Sequence, residues 1–222
     1  MITLYSVLVF FHILLFVFWL GADLGVAVLG GQFRKRAYSL AERVTILKIL
    51  VMVDMVPRTA WALMIASTIS LLAVGGYWEL PAWAVVLAWA VSLGWVALVW
   101  RIHGLGQDPK AKPLKTVESV LKWVLAAFYL GLGIVSLTTD APLEPNWLAT
   151  KAVLFGLIFV AAIMIDVMFK PVGPMLVRLL EEGSSDATEI PLLATMNRSR
   201  FWVRVTYLLL VVVAFTGTTK FF

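Results

Sequence analysis

His12 is one of two histidines in this 222-residue chain, and it stands inside a long apolar stretch. Ionisable side chains are costly in lipid, so they usually mark a functional site or a buried pair. About eight residues of helix place His12 ~12 Å from the nearer edge of the stretch, at 1.5 Å per residue. Trp19 and Asp23 share its helical face. His12 is either a metal or haem ligand or a structural histidine bonded to a neighbouring backbone group or hydroxyl.

Lys151 is a second candidate ligand, since it stands one turn into another apolar stretch and four residues after Trp147. The helical rise places it ~6 Å from the nearer edge of that stretch. This position is typical of a lysine that extends its ammonium group to the lipid headgroups. The alternative is a neutral lysine, because only the deprotonated amine binds a metal.

His103 follows Trp100 and Arg101 at the end of a third apolar stretch. The alternation of spans places it at the opposite membrane surface from His12. Since the hydrocarbon core is ~30 Å thick, the two histidines do not suit the two axial positions of one haem. His103 is therefore an interfacial residue, or it contacts a second haem or a quinone.

Asp23, Asp54, Arg58 and Asp166 all project to the inner half of the membrane. Asp54 and Arg58 are four residues apart, which is the favourable order for an ion pair on one helix. Pro57 between them releases one backbone carbonyl. The four residues form either a structural ion-pair cluster or a proton path or anion-binding pocket. In the second case Arg58 could pair with a carboxylate such as a haem propionate.

Six apolar stretches must position these side chains. The chain is 62% hydrophobic and only 14% charged, with a mean hydropathy of +0.96. A soluble domain has about a quarter charged residues, and a bilayer needs ~20 apolar residues per helix. The composition predicts an all-α, polytopic transmembrane helical bundle of about six spans. We place the spans at 4–30, 49–74, 82–100, 117–138, 147–169 and 201–218.

Most of the 18 lysines and arginines fall in three segments between spans, at 34–48, 101–122 and 170–204. Basic loops stay on the cytoplasmic side, so the pattern predicts cytoplasmic loops there and both termini on the other side. We expect one transmembrane domain over 1–222, with a cytoplasmic loop at about 171–197, in a bacterial-type inner membrane.

The sequence also predicts the secondary structure of two of the basic segments. The amphipathic segment 32–47 is either a helix on the membrane surface or an inward extension of the second span. We predict that the loop at 171–197 contains a short helix followed by a break at 183–186. A helix then restarts at Pro191 and continues into the last span.

Several function classes are excluded by composition. The chain has no cysteine, so it has no disulfide, thiolate metal site, iron–sulfur cluster or covalent haem attachment. Its net charge of +5 belongs to loops that face anionic lipid, and therefore does not indicate nucleic acid. No phosphate-binding loop, nucleophile triad or carboxylate pair indicates hydrolysis or group transfer. The first apolar stretch lacks the basic start of a cleavable signal peptide.

The segment 11–21 reads FHILLFVFWLG, with His12 and Trp19 seven residues apart. It resembles the first helix of the HemJ-type membrane protoporphyrinogen IX oxidases and of the related copper-resistance D group. The W-x-x-x-K pattern from Trp147 to Lys151 is similar to one that opens a later helix of that family. The family usually has four spans with its lysine in the third. Here the lysine is in the fifth, so the third and fourth spans would be an insertion.

The resemblance implies a b-type haem held by His12 and Lys151, in a protein that moves electrons to or from a hydrophobic substrate. Trp19, Arg58 and His103 are further candidate cofactor contacts. The substrate would be a quinone or a porphyrinogen, and the partner a redox protein or a second copy of the chain. In this interpretation the chain is a haem-dependent membrane oxidoreductase.

The alternative is a non-catalytic membrane protein, either a copper or other metal permease or an accessory subunit of a larger complex. Copper transport follows from the copper-resistance D similarity. Cu(I) prefers thiolate or thioether ligands. This chain has no cysteine, and its eight methionines are not clustered.

Overall fold

The computed structural model describes residues 2–220 as seven α-helices with no strand. Six candidate spans are long and apolar enough to cross a membrane, and the fifth continues from α5 into α6. The all-α, polytopic fold predicted from composition is therefore confirmed. The helices are α1 (Leu4–Phe33), α2 (Leu40–Val74), α3 (Ala82–Leu105), α4 (Ala111–Thr139), α5 (Asn146–Phe169), α6 (Val172–Glu182) and α7 (Asp186–Thr219).

Helix α2 begins nine residues before the predicted second span, at Leu40. The reason is a capping box at Ser39 and Glu42. The Ser39 backbone N–H donates to Glu42 Oε2 at 2.7 Å, and the Glu42 N–H donates to Ser39 Oγ at 3.3 Å. The basic segment after Ser39 is thus an extension of the second span and not a separate surface helix.

Helix α7 begins at Asp186, and the predicted restart at Pro191 is wrong. The Ser185 backbone N–H donates to Thr188 Oγ1 at 3.1 Å. This bond satisfies one of the backbone N–H groups that have no partner within the helix at its start. Pro191 then lies within the second turn, where the missing N–H removes one helical hydrogen bond without ending the helix. The predicted break at 183–186 is present as a loop at 183–185, between α6 and α7.

The chain divides into two compact units. The first contains the described residues through Phe33 together with Thr45–Glu118, and the second contains Arg34–Val44 and the residues from Ser119 onward. Aromatic rings occupy the core of each unit. In the first unit they are Trp19, Trp61 and Trp95; in the second they are Tyr129, Phe155 and Phe159.

Glycines allow α4 and α5 to approach closely in the second unit. A Cβ on Gly133 would lie 2.6 Å from the backbone nitrogen of Val153 and 2.7 Å from the carbonyl oxygen of Ala149. A Cβ on Gly156 would lie 2.9 Å from the backbone nitrogen of Leu130. Small residues at helix crossings are typical of membrane proteins, in which packing and not water exclusion holds helices together.

A fully buried ion pair joins the start of α2 to the start of α7. Arg43 donates from Nη1 to Glu189 Oε1, and its Nη2 lies 3.2 Å from Oε2. The two side chains are 2% and 0% exposed. Ser184 Oγ donates to the same carboxylate at 2.8 Å. The pairing is bidentate, the geometry that best compensates for burying both charges.

Candidate functional site

His12 lies on α1 in the first unit, half-buried, and its ring makes a hydrogen bond across to α2. The Nδ1 atom is 2.6 Å from the hydroxyl oxygen of Ser67, whose side chain is fully buried. This bond fixes the plane of the imidazole. In a histidine that binds a metal, a hydrogen bond at one ring nitrogen orients the ring and the other nitrogen is the ligand.

A line of three tryptophans fills the core of the same unit. The rings of Trp19 and Trp61 stack with centroids 5.6 Å apart, and Trp95 meets Trp61 edge-on at 4.9 Å. Trp95 Nε1 lies 3.5 Å from Oε1 of the buried Glu118. Stacked and edge-on pairs each stabilise packing by about 0.5–1.5 kcal/mol beyond area burial. The core therefore presents a rigid apolar wall that begins two turns along α1 from His12.

The expected ion pair on α2 is present. Arg58 Nε donates to Asp54 Oδ2 at 2.5 Å, and the arginine side chain is 42% exposed. Asp23 belongs to the same unit, on α1. The role of Asp23 in a common cluster with this pair stays a prediction.

Asp166 has a partner that the sequence did not indicate. In the second unit, Lys122 Nζ on α4 donates to Asp166 Oδ2 on α5 at 2.8 Å. The lysine side chain is 5% exposed. A signal was available, because Lys122 shares a helical face with Ala126 and Tyr129, which are buried as well. A lysine on the buried face of a membrane helix is expected to pair with an anionic side chain, because an unpaired charge is costly there.

Lys151 lies near the start of α5 and is held among the ends of α5 and α7 in the second unit. Its Nζ is 5.9 Å from the centroid of the Trp147 ring, and Lys220 Nζ is 5.0 Å from the same ring. A Cβ on Gly217 of α7 would overlap the Lys151 amine and would lie 3.1 Å from Cε. Gly217 thus provides the space that the lysine occupies. Within residues 2–220 no carboxylate pairs with Lys151.

His103 is exposed at the end of α3 and belongs to the first unit. Its ring meets that of Trp100 edge-on, with centroids 6.2 Å apart. Trp100 Nε1 also donates to Thr59 Oγ1 on α2 at 3.1 Å. This arrangement fits the interpretation of His103 as an interfacial residue and equally leaves it accessible to a ligand.

The candidate ligands are thus divided between the two units: His12 belongs to the first and Lys151 to the second. Their predicted common pocket stays a prediction. Among residues 2–220, no three His, Cys, Asp or Glu side chains are grouped as a metal site. Haem differs from such a site, because the porphyrin supplies four ligands and the protein only one or two axial ones. Ser67, Lys122 and Gly217 are the partners that the sequence alone did not identify.

No family model matches the chain, and no curated protein or solved structure matches it either.

Proposed function

We propose that this protein is a membrane-embedded haem b redox protein that passes electrons between a hydrophobic substrate, either a quinone or a porphyrinogen, and a partner protein. The observation that carries the proposal is the hydrogen bond between His12 Nδ1 and Ser67. A histidine that ligates a metal almost always bonds through its other ring nitrogen, which holds the ring in place. The sequence resemblance around His12 and Trp19 adds the expectation of haem.

Lys151 supports the proposal from the second unit. The glycine at 217 accommodates its side chain, and no described carboxylate pairs with its amine. An amine without a counter-ion is easier to keep neutral in an apolar environment, and only the neutral amine can bind iron. In the proposal, Lys151 would be a second ligand of the haem.

The residues of the chain would hold and insulate the cofactor. His12 would provide a ligand nitrogen, and Ser67 would orient its ring. The tryptophan core of the first unit would exclude water near His12. A bound haem would supply one-electron chemistry, and the ligand residues together with the surrounding dielectric would set its potential.

Purified protein from haem-replete cells tests the proposal through its optical spectrum. We expect a Soret band near-stoichiometric with protein in the wild type and in His103→Ala, and its loss in His12→Ala. His103 is a matched control because it is the only other histidine. Ser67→Ala should retain haem but bind it more weakly, because the imidazole loses its orienting bond.

Colourless wild-type protein from such cells would contradict the proposal. It would then favour the non-catalytic alternative, an accessory subunit or a metal permease. Equal loss of haem in His12→Ala and His103→Ala would also contradict it, because the assignment of His12 requires the two histidines to differ.

A further inference from the structure

Three buried indoles follow one another through the first unit, each from a different helix. Trp19 of α1 stacks on Trp61 of α2 with ring centroids 5.6 Å apart, and Trp61 meets Trp95 of α3 edge-on at 4.9 Å. None of the three residues is more than 8% exposed. Indole loses an electron far more readily than the ring of phenylalanine. Rings in contact and shielded from water can therefore pass an electron from one to the next.

This tryptophan line ends at a carboxyl group. Trp95 Nε1 donates to Glu118 Oε1 on α4 at 3.5 Å, and the glutamate is 8% exposed. Packing of apolar rings gives no reason to bury a carboxyl group beside them, because burial of an ionisable side chain in a membrane protein is costly. Loss of one electron makes an indole N–H strongly acidic. A carboxylate at that N–H is then placed to accept the proton.

The other end of the tryptophan line lies near the candidate cofactor ligand. Trp19 is seven residues after His12 on α1, or ~10.5 Å along the helix axis. Glu118 stands near the start of the fourth predicted span. The distribution of basic loops predicts that this start is on the cytoplasmic side. The tryptophan line thus runs from the neighbourhood of His12 to a carboxyl group in the predicted cytoplasmic half.

We propose that the tryptophan line carries oxidising equivalents away from the cofactor site, with Glu118 as the acceptor of the indole proton. The oxidant is a peroxide that reacts at the cofactor, so the inference rests on the proposed function. One electron passes from Trp95 through Trp61 and Trp19 to the oxidised cofactor. The Nε1–H bond of Trp95 breaks, and its proton forms an O–H bond on Glu118. The products are a neutral indolyl radical, a protonated carboxyl group and a cofactor reduced by one electron. An electron from the partner protein and the same proton restore Trp95.

A photo-oxidant attached to the purified full chain tests the tryptophan line without the cofactor. The chain has no cysteine, so Phe18→Cys, at an exposed position next to Trp19, attaches a ruthenium polypyridyl complex at the start of the line. After flash oxidation of the complex, we expect a neutral indolyl radical in transient absorption and electron paramagnetic resonance. Trp61→Phe should abolish this signal, because it interrupts the line. Trp83→Phe is the matched control, because it removes a 67% exposed indole from α3 outside the line.

Glu118→Gln separates acceptance of the proton from packing. The amide has nearly the same shape and still accepts a hydrogen bond, but it cannot take up the indole proton. The radical should therefore change from the neutral to the cationic form, which absorbs at a different wavelength. Thermal unfolding of each variant shows whether the fold persists, and Glu118→Gln remains a test even if Trp61→Phe does not fold.

The proposal is overturned if Trp61→Phe retains the neutral radical, if Trp83→Phe loses it equally, or if Glu118→Gln forms it in the wild-type yield. Because ruthenium replaces the cofactor as the oxidant, this measurement does not depend on haem binding. Absence of haem would appear in the Soret band, so failure of the proposed function and failure of this inference are distinguishable.

Discussion

His12 shows how far a single residue can be interpreted from sequence. Its scarcity and its depth in an apolar stretch indicated either a ligand or a histidine bonded to a hydroxyl. Ser67 provides that hydroxyl, 55 residues away in the chain. The same bond suits a ligand histidine, because a ligand histidine is usually oriented by a hydrogen bond at its other ring nitrogen. Haem binding by the purified protein distinguishes the two interpretations.

The buried pair Arg43–Glu189 supports a prediction at the residue scale. Replacing Glu189 by Gln leaves the Arg43 charge buried and unneutralised, so we expect a loss of stability of about 3–5 kcal/mol. Replacing both residues, as in Arg43→Met/Glu189→Leu, should be less destabilising than the sum of the two single changes, because no charge is then left unpaired. Unfolding in detergent micelles measures all three variants.

The exposed pair Arg36–Asp186 is the control for this prediction. It lies between the same two segments at 2.7 Å, but its side chains are 42% and 78% exposed. Exposed pairs contribute about 0–1 kcal/mol, so Arg36→Gln should change the stability little. Strictly additive losses at Arg43 and Glu189 would show that the two charges do not act as a pair.

The sequence did not identify which residues on other helices pair with the candidate site residues. The pair Asp54–Arg58 was predictable because both residues stand on one helix, four apart. The partner of Asp166 was not, since Lys122 stands on a different helix and the pairing depends on how α4 and α5 are rotated and crossed. Periodicity along one helix shows which face is buried but not what it meets.

At the scale of elements, hydropathy located the spans, and local capping set the starts of the longest helices. The starts predicted for α3 and α5 agree with the structure within one residue, because Pro81 and Pro145 precede them. Helices α2 and α7 start earlier than hydropathy indicates, because their first turns are polar. Ser39 with Glu42 was a readable capping box. Ser185 with Thr188 was harder to recognise, because the usual partner three residues on is Glu or Gln.

The crossing of α4 and α5 gives a prediction at this scale. Gly133→Ala places a Cβ within 2.7 Å of backbone atoms of α5, so the helices must separate. We expect a destabilisation of about 1–3 kcal/mol, as in other overpacked cores. Gly131→Ala is the matched control on the same helix, because nothing lies within 4 Å of its Cβ. That change should be neutral, or stabilising by up to about 1 kcal/mol.

Thermal midpoints of the two glycine variants in the same detergent distinguish these expectations. If Gly133→Ala unfolds at the wild-type temperature, the close approach of α4 and α5 is not a feature of the native protein. If Gly131→Ala is equally destabilised, the effect belongs to glycine in α4 in general and not to the crossing.

At the scale of the whole molecule, the distribution of basic residues predicts which side of the membrane each loop faces. Because the chain has no cysteine, single cysteines report loop position directly. Gln107→Cys, in the exposed loop between α3 and α4, should react with a membrane-impermeant maleimide only after the cells are opened. Glu144→Cys, in the loop between α4 and α5, should react in intact cells. The reverse pattern would invert the orientation.

One pair of variants tests the proposed role of Lys151 as a haem ligand most directly. Lys151→Met replaces the proposed ligand amine by a thioether. Lys220→Met makes the same change beside the same indole, Trp147, and serves as the control. The account predicts that the Soret and ferric spectra of the purified protein change in Lys151→Met and not in Lys220→Met. Spectra of Lys151→Met identical to those of the wild type, or a wild-type protein without haem, would contradict it.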